Sequence, residues 1–146
     1  MNKTIERLVD EIEKKLDEAY EEDIEIAMPA IKIDTVTFES LKADSVLVSD
    51  RLPDEGHEHG TVFILYEKNN EHFATQGVYC NVYKGWYDGD LLGDEAPIDG
   101  NVIAWYSLRE RHYQQHLKRF VTMKAEGKFE DDGSAYLARI NKMFDK

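Results

Sequence analysis

Residues 61–83 read TVFILYEKNNEHFATQGVYCNVY, and this stretch decides the fold class. Thr61 to Glu67 is rich in β-branched and aromatic residues, the composition of a strand. Asn69-Asn70 follows. Asn tolerates the left-handed backbone that a two-residue hairpin turn needs. His72 to Tyr83 then reads as a second long strand, with Gly77 inside it as a bend. Two such strands joined by a tight turn predict an antiparallel sheet.

Working outward, Val46-Leu47-Val48 is a short apolar run before Asp50-Arg51-Leu52-Pro53-Asp54-Glu55-Gly56, which reads as a turn. Ile31 to Glu39 alternates like a strand. Ile31 and Ile33 are out of phase with Val36 and Phe38, and a bulge near Asp34 reconciles the two. Downstream, Gly85-Trp86-Tyr87-Asp88-Gly89 closes the second strand region, and Asn101 to Tyr106 reads as the last strand.

Helices flank the sheet on both sides in sequence. Ile5, Leu8, Val9, Ile12, Leu16 and Ala19 recur at spacings of three and four, which predicts an amphipathic helix over 1–22. Thr4 or Asn2 is the expected cap. Ser107 with Glu110 three residues on is a capping box. It predicts a helix with Tyr113, Leu117, Phe120 and Val121 on its apolar face and Gly127 ending it. A last helix starts at Asp132 or Ser134 and carries Tyr136, Leu137, Ile140 and Phe144. The expectation is an α+β fold in one domain over 1–146: an N-terminal helix, a central antiparallel sheet of four to five strands within 31–106, and two C-terminal helices within 107–146. Strands and helices do not alternate, so a parallel nucleotide-binding sheet is not expected.

Composition narrows the class further. A chain of 146 residues is long enough for a real core, and 42% hydrophobic residues supply one. With 3 prolines and 9 glycines, extended disorder is not expected. The 1 cysteine, Cys80, cannot form a disulfide within the chain, which fits a reducing compartment. The N-terminus lacks an apolar leader core, and no stretch approaches the length of a membrane span. The expected location is the cytosol, that of a bacterial host if the chain is phage-encoded.

The net charge of −12 is unevenly spread. Residues 1–40 hold 5 bases and 12 acids, residues 41–105 hold 4 and 12, and residues 106–146 hold 9 and 6. Such a body repels nucleic acid and anionic membrane and favours basic partners.

Each motif that suggests chemistry has a plainer reading. His112 and His116, four apart on a predicted helix, share a face and with His57 and His59 suggest zinc. The Glu of the metalloprotease helix motif is missing, and surface histidines on a polar face account for the pair equally well. Asp88, Asp90, Gly93 and Asp99 echo a calcium loop, but Leu92 stands where an oxygen ligand belongs. An acidic loop between strands is the plainer account. Cys80 sits inside a predicted strand, where a cysteine is usually a small apolar residue. Gly85, Gly89 and Gly93 match no phosphate-binding fingerprint. Trp86 and Trp105 read as core, and the tyrosines near them either as core or as a protein-binding face.

Three motifs together carry a resemblance. The first is Asp50-Arg51-Leu52-Pro53-Asp54-Glu55-Gly56 with the strand Thr61 to Tyr66 after it. The second is the aromatic strand Tyr79 to Trp86, and the third is Val102-Ile103-Ala104-Trp105-Tyr106-Ser107-Leu108. The segment 46–108 resembles a small phage and prophage family of unknown function. Its signature is close to D-R-L-P-E-E-G, then V-L-V-Y, then a lone W, then V-T-H-W-M-P-L-P. Ala104 stands where that family has His, Tyr106-Ser107 where it has Met-Pro, and Arg109 where it has the final Pro. Val46-Leu47-Val48 occupies the place of a Trp. The resemblance implies a phage or mobile-element origin and brings no catalytic residues.

The functional expectation is a non-enzymatic, phage-type acidic protein without a cofactor. It binds a basic host protein, such as a nucleic-acid-handling defence enzyme, in the manner of an anti-CRISPR or anti-restriction inhibitor. The expected partner-binding face comprises Glu13, Asp17 and Glu21 of the first helix with Asp88, Asp90, Asp94 and Glu95 of the loop. The alternatives are a metal-dependent module using His112 and His116, joined by Asp88 and Asp90, and a self-associating assembly protein that pairs as a homodimer through its C-terminal helices.

Overall fold

The computed structural model describes residues 2–21, 30–54, 58, 60–88 and 96–146. They group into two compact units, residues 1–107 and 108–146, where a single domain is expected from the sequence. The class is α+β, with an N-terminal helix, an antiparallel sheet and two C-terminal helices.

In the first unit, helix α1 spans Lys3–Glu21. Asn2 caps it: the side-chain oxygen accepts from the amides of Thr4 at 2.9 Å and Ile5 at 3.1 Å. Its stripe of Ile5, Leu8, Val9 and Ile12 is buried. Strand β1 is only Ile31–Ile33, and helix α2 follows at Thr35–Ala43. This corrects the expected strand over Ile31 to Glu39. Asp34 is not a bulge. Its carboxylate accepts from the Thr37 amide at 2.7 Å, which caps α2 and holds the carboxyl below its ordinary range. The β-branched run Thr35-Val36-Thr37 favours a strand locally, but the cap and the burial of Phe38 and Leu41, three apart, favour a helix.

The remaining strands are β2 Val46–Leu47, β3 Val62–Lys68, β4 Glu71–Cys80, β5 Gly85–Asp88, β6 Ala96–Pro97 and β7 Asn101–Tyr106. The sheet runs β2-β7-β3-β4-β5-β6 with every pairing antiparallel, and β1 lies on β4 beside β5. Its 7 strands exceed the expected number because three of them are only two or three residues long. Asn69 and Asn70 form the β3–β4 turn with φ of 52° and 62°, the left-handed pair that a two-residue hairpin requires. At Gly77, a Cβ would stand 2.0 Å from the Tyr87 carbonyl oxygen, so β5 approaches β4 where there is no side chain.

Residues opposite one another across the strands share a face. One face carries Leu65, Ala74 and Ala104, which are mutually opposite. Helices α1 and α2 lie against β4, and Phe38 stacks on His72 of that strand with ring centroids 4.3 Å apart. The other face carries Ile64, Thr75 and Trp105 in register. There Val62, Ile64, Tyr66, Val102 and Trp105 form a buried cluster, with Val46, Val48, Phe73, Trp86 and Ile98 packed around it.

The second unit is a helical hairpin, α3 Arg109–Ala125 and α4 Ser134–Met143. The expected capping box is not made. Ser107 donates to Glu58, the cap position is Leu108 without a side-chain bond, and Glu110 accepts from Gln114 at 3.2 Å and Lys146 at 2.9 Å. Gly127, at φ 69°, follows the end of α3 as its sequence predicts. Asp132 accepts from the Ser134 amide and hydroxyl ahead of α4. Phe120, Phe129 and Tyr136 meet ring to ring, and Phe144 packs on Tyr113 and His116. Val121, expected on the apolar face, is 63% exposed.

Candidate partner-binding face

The acid-rich side of α1 is built by helical spacing. Glu6, Asp10, Glu13 and Asp17 succeed each other at intervals of four, three and four, so they form one row beside the buried stripe. Glu6, Asp10 and Asp17 are exposed, and Glu13 is half-buried. Glu21 continues the row in the backbone of α1, and its side chain lies outside the described residues. At about 1.5 Å per residue, Glu6 to Asp17 spans roughly 16 Å. The helix is not purely acidic: Lys3, Arg7 and Lys14 are exposed next to the row, and Lys14 pairs with Glu18 at 4.0 Å. An exposed pair of that length adds little stability.

Asp88 does not belong to that face. It lies in β5, is 8% exposed, and accepts from the Thr75 hydroxyl at 2.7 Å on the far side of the sheet. This corrects its assignment as an exposed acid. The antiparallel register sets Asp88 opposite Gly77 and turns its carboxylate inward onto Thr75. The nearby Tyr66 hydroxyl is held above its ordinary pKa, first by burial and then by the negative charges of Asp88 and Asp99. Asp99 itself is exposed and pairs with Lys68 at 2.7 Å. Asp90, Asp94 and Glu95 lie outside the described residues.

The histidine pair is placed but not assembled into a metal centre. His112 and His116 are both half-buried on α3. His112 Nδ1 is 3.4 Å from the Gln115 side-chain oxygen, and His116 lies 5.5 Å from the Phe144 ring. Among the described residues, no three of His, Cys, Asp and Glu converge to hold a metal. His57 and His59 lie outside the described residues. Cys80 ends β4 opposite Gly85 and is half-buried.

The Asp50-Arg51-Leu52-Pro53 turn and strand β7 meet in space. Trp105 donates its indole N–H to the Arg51 carbonyl at 2.8 Å, and the Arg51 guanidinium stands 5.4 Å from the Trp105 ring centroid. Thus the Asp50-Arg51-Leu52-Pro53 turn clamps the tryptophan of β7. This explains its fixed place in the fold as packing and a cation–π contact, with no chemistry required.

One charged feature was not singled out from the sequence. The 15 residues from Arg111 to Ala125 hold Arg111, Lys118, Arg119 and Lys124 and no acid. Its signal in the sequence is the gap in the acids over residues 111–125. Among the described residues, no helix is long and apolar enough to cross a membrane. No protein-family model, no curated protein and no solved structure matches the chain.

Proposed function

We propose that this chain is a non-enzymatic binding protein that docks a basic protein of a bacterial cytosol through the acid row of α1. The observation that carries this reading is the row itself: Glu6, Asp10, Glu13 and Asp17 along one side of a helix whose neighbouring stripe is held in the core. A partner built to hold nucleic acid presents Lys and Arg at spacings set by phosphates, and a rigid row of carboxylates offers that surface an alternative ligand. Inhibition of a nucleic-acid-handling defence enzyme is the outcome this chemistry fits. The resemblance of residues 46–108 to phage proteins supports the same setting.

The deciding variant is Asp10, Glu13 and Asp17 all changed to alanine, measured against the partner captured with the native chain. Removing three charges from a row of salt-sensitive contacts is expected to weaken binding about tenfold or more and to flatten its salt dependence. Unchanged affinity and unchanged salt dependence sink the proposal.

A further inference from the structure

Strand β4 outruns its neighbour β3. Their register ends with Val62 opposite Gly77, and β4 continues to Cys80. From Val78 on, β4 has only β5 beside it among the described residues. Residues 78–86 therefore form a two-stranded arm that is open on its β3 side. Two observations fix the direction of its backbone groups. The two-residue turn at Asn69-Asn70 closes on Lys68 and Glu71, the hydrogen-bonded pair of the hairpin. Alternation from there points the N–H and C=O of Phe73, Thr75, Gly77 and Tyr79 to the β3 side. Independently, Trp86, opposite Tyr79, accepts from the Ile98 amide at 2.9 Å, away from β4. Two residues opposite each other in this way turn their backbone groups apart. The N–H and C=O of Tyr79 thus face the edge where β3 has ended.

The arm is also apolar and free of acid. Residues 72–87 read HFATQGVYCNVYKGWY, with Lys84 and no Asp or Glu, in a unit of residues 1–107 that holds 24 acids. At the tip Val82 is 82% and Tyr83 77% exposed, and Tyr79, Cys80 and Trp86 are half-buried behind them. Val78-Tyr79-Cys80 carries no charge and no proline, the devices by which sheets keep their edges apart.

We propose that this edge pairs with the same edge of a second copy, antiparallel, about a two-fold axis at Tyr79 or Cys80. Antiparallel pairing of one edge with itself is self-complementary, as a two-fold dimer requires. Charge selects a second copy over a foreign basic strand. The arm offers a basic partner no carboxylate, and it lets two acidic chains meet without setting carboxylates opposite each other. With the axis at either residue, the Cys80 Cβ atoms of the two copies are opposite or diagonal neighbours on one face, within about 8 Å. The contact is small beside the roughly 800 Å² per partner of a standard interface, so the dimer is reversible and forms at high protein concentration. It does not use the acid row of α1, so its failure leaves the proposed function standing, and the reverse.

The salt dependence is opposite to that of charge-driven binding. Backbone pairing sets no charges of unlike sign face to face, whereas the net −12 of each copy opposes approach. Raising salt from about 0.01 M to about 1 M shortens the Debye length from about 30 Å to about 3 Å and screens that repulsion. Dimerisation therefore strengthens as salt rises.

The test is sedimentation of the purified full chain over a range of protein and salt concentration, joined to crosslinking with a short bismaleimide. With 1 cysteine in the chain, that reagent can join only Cys80 to Cys80 of another copy. Two variants are included. Tyr79→Lys sets like charges against each other across the axis. Val82→Asp with Tyr83→Asp puts acids beside the junction on both copies, at exposed positions that leave the fold intact. The expected result is a dimer that grows with protein concentration and with salt and that crosslinks through Cys80. Each variant, folded by circular dichroism, is expected to associate about tenfold or more weakly, because like charges now meet. A monomer under all conditions overturns the proposal. So does a dimer that dissolves as salt rises, a dimer whose Cys80 takes up a single maleimide without crosslinking, or folded variants that associate like the native chain.

Discussion

At the scale of single residues, the sheet depends on two positions where β5 meets β4. Gly77 leaves room for the Tyr87 carbonyl, which a Cβ would approach to 2.0 Å. Gly77→Ala is expected to destabilise the chain by about 1–3 kcal/mol as β5 is pushed aside, read as a lower midpoint in urea. Thr75 donates to the buried Asp88 carboxylate at 2.7 Å. Thr75→Val keeps the shape and removes that donor, for an expected loss of about 1–3 kcal/mol. An unchanged urea midpoint would show that the bond contributes nothing. Neither position could be ranked from sequence alone. Gly77 read only as a bend, and Asp88 looked like any other of the 30 acids. What distinguishes them is the pairing of β4 with β5, a long-range register that local composition does not encode.

At the scale of elements, helix ends explain both what was legible and what was not. The β3–β4 hairpin was legible because Asn69-Asn70 has a turn chemistry of its own and the segments on either side have the composition of strands. Helix α1 was legible because four buried residues fall at helical spacing over more than two turns. Helix α2 was not, because nine residues with three β-branched ones at the start satisfy a strand pattern equally well. The Asp34 cap decides between them. Asp34→Ala is expected to lower the melting temperature by a few degrees and to reduce helical circular dichroism. Asp34→Asn, which still accepts the Thr37 bond, recovers part of it. The α3 start failed for a related reason: Ser107 spends its hydroxyl on Glu58, so the local capping box loses to a contact 49 residues away.

Three carboxylates near helix ends set a pH dependence. The carboxyls of Asp34, Glu110 and Asp132 are all held below their ordinary range. The main cause is the Thr37 amide for Asp34, the Lys146 ammonium for Glu110 and the Ser134 hydroxyl for Asp132. A depressed folded-state pKa contributes stability above the unfolded value, and that contribution is lost as pH falls through the folded value. The ordinary values are 3.8 for Asp34 and Asp132 and 4.5 for Glu110. Helix content followed by circular dichroism is thus expected to hold at neutral pH and to begin falling only as the pH drops below that range. A loss of helix beginning above pH 5 would point to other groups.

At the scale of the whole molecule, the dominant fact is the division of charge. A net −12 reads as a uniformly acidic protein, but the acids belong to residues 1–107 and the C-terminal unit carries a net +3. Of the expected acidic face, Asp88 is the residue among the described ones that the structure places elsewhere. Glu13 and Asp17 stand in an accessible row with Glu6 and Asp10, whereas Asp88 is taken into the sheet as a structural acceptor. The row on α1 could be drawn from sequence because helical spacing is local. The inward turn of Asp88 could not, because it follows from strand pairing.

The most direct test of the acid row as a docking surface is capture from bacterial lysate at low and at high salt. The native chain and the variant with Asp10, Glu13 and Asp17 changed to alanine are used side by side, with the bound proteins identified by mass spectrometry. One basic protein is expected to be retained by the native chain at low salt, released as salt rises, and missing from the variant. Retention of the same protein by both chains at both salt concentrations would contradict it.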